Sequence, residues 1–531
     1  VNVLYRHRMA GRYGMVDPKR RAVKHAGVLT FVKVAGFGAA SGVGMLVLAA
    51  TEQSFAHLVN RSLETQVSKY DIASPIIGHA VALAIFGAAG TVAFSYVKKR
   101  VEKHGDIVEP AYLAPPTSPY VTAGPRSGIR FDQIGMEGRR FVLMTLTPEV
   151  ISAVMGEPAI DPVRVVAGYE AGHNTEERAA ACLQEMEAVG AFDRSLICIA
   201  APTGVGYVSY TFAEALEYLT LGDCAIVVPQ YALVPSALAI FDTHDGVNLQ
   251  KMVIEMAHQR IKQMPAEQRP RLVQFGESLG AQVALDIAYP HGSVDFDAMG
   301  IDAGLYFGVP FRSATWNAWR RARSQFDPLQ SIVLISEPDE FEQLSQTARR
   351  RMRHLMVVHD DDPVNKFAYS LIIRPPWWMG PPKTRPPKVP RETTWVPVGT
   401  AVLTAIDLLN GMDFRPGQFV RRGHDYRIDS RQCVIDAYGL DCTAEQSISI
   451  EKALREREQS WAARRMIARK FAKTRESVAR TLQKWGVKKA DESFDEFDML
   501  GAGAVPTSVP SPRGSERGSV QSIPNSGTEA S

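Results

Sequence analysis

The sequence predicts an α/β protein: a mostly parallel sheet with helices on both faces, preceded by an apolar hairpin and followed by a basic helix. Three observations predict it. Short β-branched runs alternate with longer helical ones between about Gly128 and Tyr438. Two uncharged runs of membrane-spanning length come before that region. One strand–turn–helix passage carries Gly276-x-Ser278-x-Gly280. At 531 residues the chain exceeds one ordinary domain, and 45% hydrophobic against 22% charged residues can bury a core. A formal net charge of +3 gives no reason to expect nucleic acid. Cys182, Cys198, Cys224, Cys433 and Cys442 form no CxxC pair, so they read as reduced thiols, with no metal site or disulfide framework expected.

The elements follow in chain order. Residues 1–33 are basic, with Asp17 the single acid. Val34–Ala50 and Ile72–Val97 are uncharged, the second ending on Lys98, Lys99 and Arg100. At ~1.5 Å per residue each can cross a ~30 Å hydrocarbon core, so 34–100 is expected to be a transmembrane hairpin in the lipid bilayer. The alternatives are two buried core helices, or a signal peptide for the first run. The long basic region and the missing cleavage site fit a signal peptide poorly. Gly38, Gly42, Gly87 and Gly90 would let helices approach closely, within one chain or in a homo-oligomer. Basic residues flank both outer ends, while Thr51–Asp71 is mixed, so both ends and the catalytic domain are expected on the cytoplasmic side of the cell membrane.

Residues 101–127, with Pro110 to Pro125, read as a Pro-rich linker. Within 128–443 the strand-like runs are Arg164–Ala167, Leu196–Ala200, Ala225–Pro229, Leu272–Phe275, Gly304–Val309, Ile332–Ser336 and Leu355–Val358, with helices such as Thr211–Leu219 and Asn248–Met264 between them. Residues 444–489 form a basic helix with Trp461, Phe471, Val478, Leu482 and Trp485 near one face, either solvated, packed on a partner, or lying on a membrane surface. Residues 490–531, rich in Ser, Gly, Pro and Glu, are expected to be disordered.

The chemistry centres on Gly276-Glu277-Ser278-Leu279-Gly280. A serine hydroxyl becomes a useful nucleophile when a sharp turn projects it toward a base and a carbonyl. Gly276 and Gly280 permit that elbow, and the N–H of Leu279 opens the next helix as an oxyanion donor. The alternative is an ordinary turn with a capping serine. In a Ser–acid–His chain order, His424 in Gly423-His424-Asp425-Tyr426 is the base, since it alone among the histidines follows the Asp360-Asp361-Asp362-Pro363 turn. Asp362 is preferred as the acid, with Asp360 next. A second oxyanion N–H falls to Thr203 or Gly204, in the glycine-rich turn after the strand at 196–200. No Walker lysine follows that turn, so nucleotide binding is not expected; no cofactor is expected elsewhere.

Together these motifs resemble an actinobacterial family of membrane-anchored α/β hydrolases. The matching pieces are Phe131–Val142, Thr203–Gly206, Gly276–Gln282, Asp362-Pro363, Arg374–Trp378 and Gly423–Tyr426, spanning about residues 30 to 440. The chain departs from the family in having two spans rather than more, and in the extra acids Asp360 and Asp361. The resemblance implies an α/β-hydrolase fold. The residues imply an esterase or acyltransferase acting through acyl-Ser278, with an amphiphilic acyl ester or thioester as substrate. A catalytically idle hydrolase fold serving as a membrane scaffold is the competing expectation.

Overall fold

Seven runs rich in Val, Ile, Leu, Ala and Phe form the strands β1 (Val163–Ala167), β2 (Leu196–Ala201), β3 (Cys224–Pro229), β4 (Arg271–Glu277), β5 (Ala303–Phe307), β6 (Ile332–Ile335) and β7 (His354–Val357). They make one sheet in the order β1-β3-β2-β4-β5-β7-β6, with every neighbouring pair parallel. Parallel strands covered on both faces need apolar side chains on both, and β1, β2, β3, β5 and β7 are buried at every position. The expected strands are all present, with β4 running on to Glu277. The computed structural model describes residues 111–484 except 234–242, 382, 384, 390, 392 and 411–413, together with helical positions 43, 46, 47, 50–59, 61, 79–81, 84, 85, 88, 92 and 95.

Helices cover both faces of the sheet. One layer contains α1 (Met136–Leu143), α2 (Pro148–Met155), α4 (Tyr210–Leu219), α9 (Ser430–Tyr438) and the start of α10 (Ala444–Lys484). Their apolar sides join Val166, Cys198, Phe275 and Phe307 in one core, where the Phe212 and Phe275 rings stack 3.5 Å apart. The opposite layer contains α3 (Thr175–Ala188), α5 (Thr243–Lys262), α6 (Leu279–Asp286) and α7 (Ala314–Arg321), packed on Val165, Ile199, Leu272 and Met356. A further helix, α8 (Gly399–Asn410), lies between the candidate acid and base in sequence.

Three observations bear on the expected organisation. The Pro-rich stretch is not a free linker from residue 111 onward. Val121 makes a parallel bridge to Arg164, and the Thr122 hydroxyl accepts the Val166 N–H at 3.0 Å, so the stretch lines the open side of β1. A sheet edge tolerates proline because the missing N–H can point away from the ladder. The basic helix, in turn, begins as part of the same body as 128–443. Ile450, Ala453, Leu454 and Trp461 are buried, and Arg457 pairs with buried Glu214 at 3.1 Å. Finally, among the described residues no helix is long and apolar enough to cross a membrane. Helix continues over 51–59, where a loop was expected, and takes in the polar Glu52, Gln53 and His57. Most of Val34–Ala50 and Ile72–Val97, with all of 1–33 and 490–531, lies outside the described residues.

Candidate active site

The turn between β4 and α6 is strained at Ser278. Ser278 has φ 57° and ψ −123°, outside the ordinary regions for an L-residue. Both flanking glycines are required by close contact. A Cβ on Gly276 would stand 2.4 Å from the Gly280 carbonyl oxygen, and one on Gly280 would stand 2.2 Å from that of Ala201. The Ser278 N–H donates to the Phe307 carbonyl at 2.9 Å, which ties the elbow to the end of β5. Holding a serine in such a conformation costs on the order of 1–3 kcal/mol, a cost carried by the packing around it.

The next residue along, Gly308, brings in the histidine. It has φ 58°, and a Cβ there would lie 2.3 Å from Cε1 of His424. His424 Nδ1 donates to Asp362 Oδ2 at 2.8 Å, and both side chains are buried. A carboxylate only accepts, so this bond fixes the tautomer and leaves Nε2 with its lone pair. That Nε2 is buried and has no hydrogen-bond partner. Asp362 is itself held from two sides. Its Oδ1 accepts the Val364 N–H at 2.8 Å, and its Oδ2 accepts the Tyr426 hydroxyl at 2.7 Å. Burial opposes its charge, but His424 and these donors outweigh that and hold the carboxyl below its usual range. Burial likewise opposes the imidazolium of His424, yet Asp362 raises its pKa above the ordinary value.

Of the other acids in the turn, Asp360 accepts the Ser336 hydroxyl at 2.7 Å, and Asp361 has a buried oxygen without a partner. Asp362 alone of the three is hydrogen-bonded to His424. Around the oxyanion position the first-turn N–H groups of α6, beginning with Leu279, have no intrahelical acceptor, since the first such bond runs from Gln282 to the Ser278 carbonyl. The Thr203 N–H is already donated to the Tyr207 carbonyl at 2.9 Å, so the turn closes on itself there. Gly204 is left as the candidate amide of the pair.

Four further groups border this arrangement. Tyr426 is the second donor to Asp362, and its ring meets that of His424 edge-on at 5.5 Å. Its place two residues after the histidine was visible in the sequence; its partner was not. Glu277 has a buried, unpartnered Oε2, and burial raises its carboxyl pKa against the opposing pull of His424. Burial pushes the Lys366 amine down to about 8. His359 forms a second buried imidazole–carboxylate pair, with Asp429 at 3.0 Å. Among the described residues no group of three or more His, Cys, Asp or Glu side chains is placed to hold a metal ion.

Ser278 Oγ makes no hydrogen bond to His424 Nε2 in this structure; the elbow and the histidine are joined through the consecutive residues Phe307 and Gly308, an arrangement of the kind that performs acyl transfer by nucleophilic attack. No curated protein and no solved structure matches the chain. Residues 13–145 match the N-terminus of the alpha/beta-hydrolase family, a match that speaks neither to an actinobacterial source nor to a membrane anchor. Residues 163–449, more than half of the chain and the whole of the sheet and elbow, match the alpha/beta-hydrolase family itself, and the chain belongs to that family.

Proposed function

We propose that this hydrolase cleaves an acyl ester or thioester through an acyl-Ser278 intermediate. His424 takes the Ser278 proton as general base and returns it to the leaving group, and Asp362 orients the ring and stabilises the imidazolium. The N–H groups of Leu279 and Gly204 receive the oxyanion. The 2.8 Å bond from His424 to Asp362 carries this reading, with the Ser278 elbow tied to Phe307 and the His424 ring seated on the next residue, Gly308. An amphiphilic acyl chain is favoured by the apolar and aromatic residues of the segment that joins acid to base in the chain. Phe367 and Tyr369 there pack edge to face with each other and with Phe311 after β5, and Ile372, Ile373, Trp377, Val398 and Val402 are exposed. Transfer to an acceptor other than water is a second reading. It is favoured by the burial of His424, which limits the access of water to its Nε2.

The enzyme works at a lipid bilayer in this reading, tethered by the runs 34–50 and 72–97 with its catalytic body in the cytoplasm. Exposed apolar side chains at helical positions Val43, Leu46, Val47, Ile85 and Val92 support the tether. The outer part of α10 supports surface contact, with Met466, Ile467 and Phe471 exposed among Arg465, Arg469, Lys470 and Lys473. A fluorophosphonate should label the full chain at Ser278 and nowhere in the Ser278→Ala variant; equal labelling of both would refute the mechanism. A reporter fused after Lys489 should be active only if it works in the cytoplasm, and an active alkaline-phosphatase fusion would overturn the orientation.

A further inference from the structure

We propose that His359 is a buried imidazolium that positions the general base, holding the His424 loop through the carbonyl of Gly423. The inference rests on the Ser278–His424–Asp362 reading and adds a residue to it. The His359 ring is fully buried, with Nδ1 2.9 Å from the Gly423 carbonyl oxygen and Nε2 3.0 Å from Asp429 Oδ2. A carbonyl oxygen and a carboxylate can only accept. Both ring nitrogens must therefore donate, and a neutral imidazole has a single N–H. Losing that proton would set one nitrogen lone pair against a buried oxygen, an uncompensated contact in a region closed to water.

The same residue reaches both partners of the catalytic pair. Gly423 immediately precedes His424. On the other side, the His359 backbone N–H donates to the Tyr426 hydroxyl at 3.1 Å, and that hydroxyl donates to Asp362. The His359 and Tyr426 rings stack 4.1 Å apart. The charged and titratable groups around the ring come from every neighbouring element. Asp360, Asp361 and Asp362 lie on its own loop; His424 and Tyr426 lie on the returning loop. Asp429 stands at the start of α9, with one oxygen taken by Arg421 at 2.7 Å, and Glu337 after β6 is paired with both Arg421 and Lys388. Burial alone would lower the His359 pKa, but the Asp429 and Gly423 bonds outweigh it and the net direction is upward. A raised histidine pKa means the clamp is complete below the ordinary value of 6.5 and is lost as pH rises through the folded value.

Asp429→Asn separates this role from simple packing. The asparagine oxygen can still accept from Arg421, while its NH2 donates to Nε2, so a neutral His359 then satisfies both contacts. The experiment follows the rate of fluorophosphonate labelling of the full chain from about pH 5 to about pH 10, beside 15N-histidine spectra that read the charge of His359. Wild type should carry two protons on the His359 ring near pH 7 and lose labelling rate where that proton leaves. Asp429→Asn should abolish this alkaline limb, because the ring there needs only one proton to keep both contacts. His359→Phe should lower the rate about 10- to 100-fold without that limb. A singly protonated His359 in wild type, or an alkaline limb retained in Asp429→Asn, overturns the proposal. If His359→Phe fails to fold, Asp429→Asn still decides. A wild type that never labels overturns the Ser278 reading and the positioning role with it; the spectra register the His359 charge separately, so the two failures are told apart.

Discussion

A Cβ on Gly308 would stand 2.3 Å from Cε1 of His424, so the imidazole of the candidate base rests directly on the backbone that follows β5. The Phe307 carbonyl, one residue earlier, accepts the Ser278 N–H. Two consecutive residues thus set the serine elbow and the histidine against one support. Gly308→Ala would strain a φ of 58° and displace the ring at once. Turnover of a short-chain ester should fall about 100-fold or more. A variant with wild-type kcat/KM would show that His424 does not need this seat.

The strained elbow also predicts a difference between two inactive variants. Ser278→Ala keeps a Cβ at φ 57°, whereas Ser278→Gly removes it. Net of the extra backbone freedom of glycine, the glycine variant should be the more stable by about 1 kcal/mol. Thermal or urea unfolding of the two proteins checks this, and an alanine variant equal to or above the glycine variant would contradict it.

Asp362→Asn should lower kcat by about four orders of magnitude, because an amide in that place favours the wrong imidazole tautomer. Asp360→Asn should change kcat by less than about threefold, since Asp360 bonds to Ser336 and not to His424. Parallel kinetics on the two variants decide between the acids.

The sign of the His424 shift fixes the acid limb of activity. Burial pushes its pKa down, but Asp362 more than offsets this, so the ring keeps its proton above the ordinary 6.5. A protonated ring cannot act as base, so kcat/KM should rise with pH through a midpoint above 6.5. In Asp362→Asn any residual limb should move to lower pH. A midpoint below 6.5 in wild type would reverse the sign argued here.

Much of this was legible in residue order, for definite reasons. Strands buried on both faces must be apolar throughout, so runs such as Cys224–Pro229 stood out without knowledge of their neighbours. Gly276 and Gly280 betrayed the elbow because each removes a Cβ that would meet a backbone oxygen. What stayed hidden depends on contacts between distant residues. The closure of the 203–207 turn engages the Thr203 amide, a hydrogen bond that residue types do not announce. His359 precedes the acid in the chain and was therefore passed over as a base, although it anchors the loop of the histidine that was chosen. Pro110 to Pro125 suggested a spacer, yet Val121 and Thr122 found the open side of β1.

The strand order has a consequence for synthesis. β6 leaves the ribosome before β7, but β7 lies between β5 and β6, and β7 is the sheet partner of β6. Domains begin to assemble from the N-terminus as they emerge, so β1 to β5 can pair while β6 waits. The strand that ends the wait also leads directly into Asp362, and His424 follows later still. A nascent chain halted before residue 354 would hold its serine elbow on a five-stranded sheet, with neither the candidate acid nor the candidate base yet made. The candidate elbow is thus built before either of its candidate partners, and the last of them, His424, arrives only after all seven strands have been made.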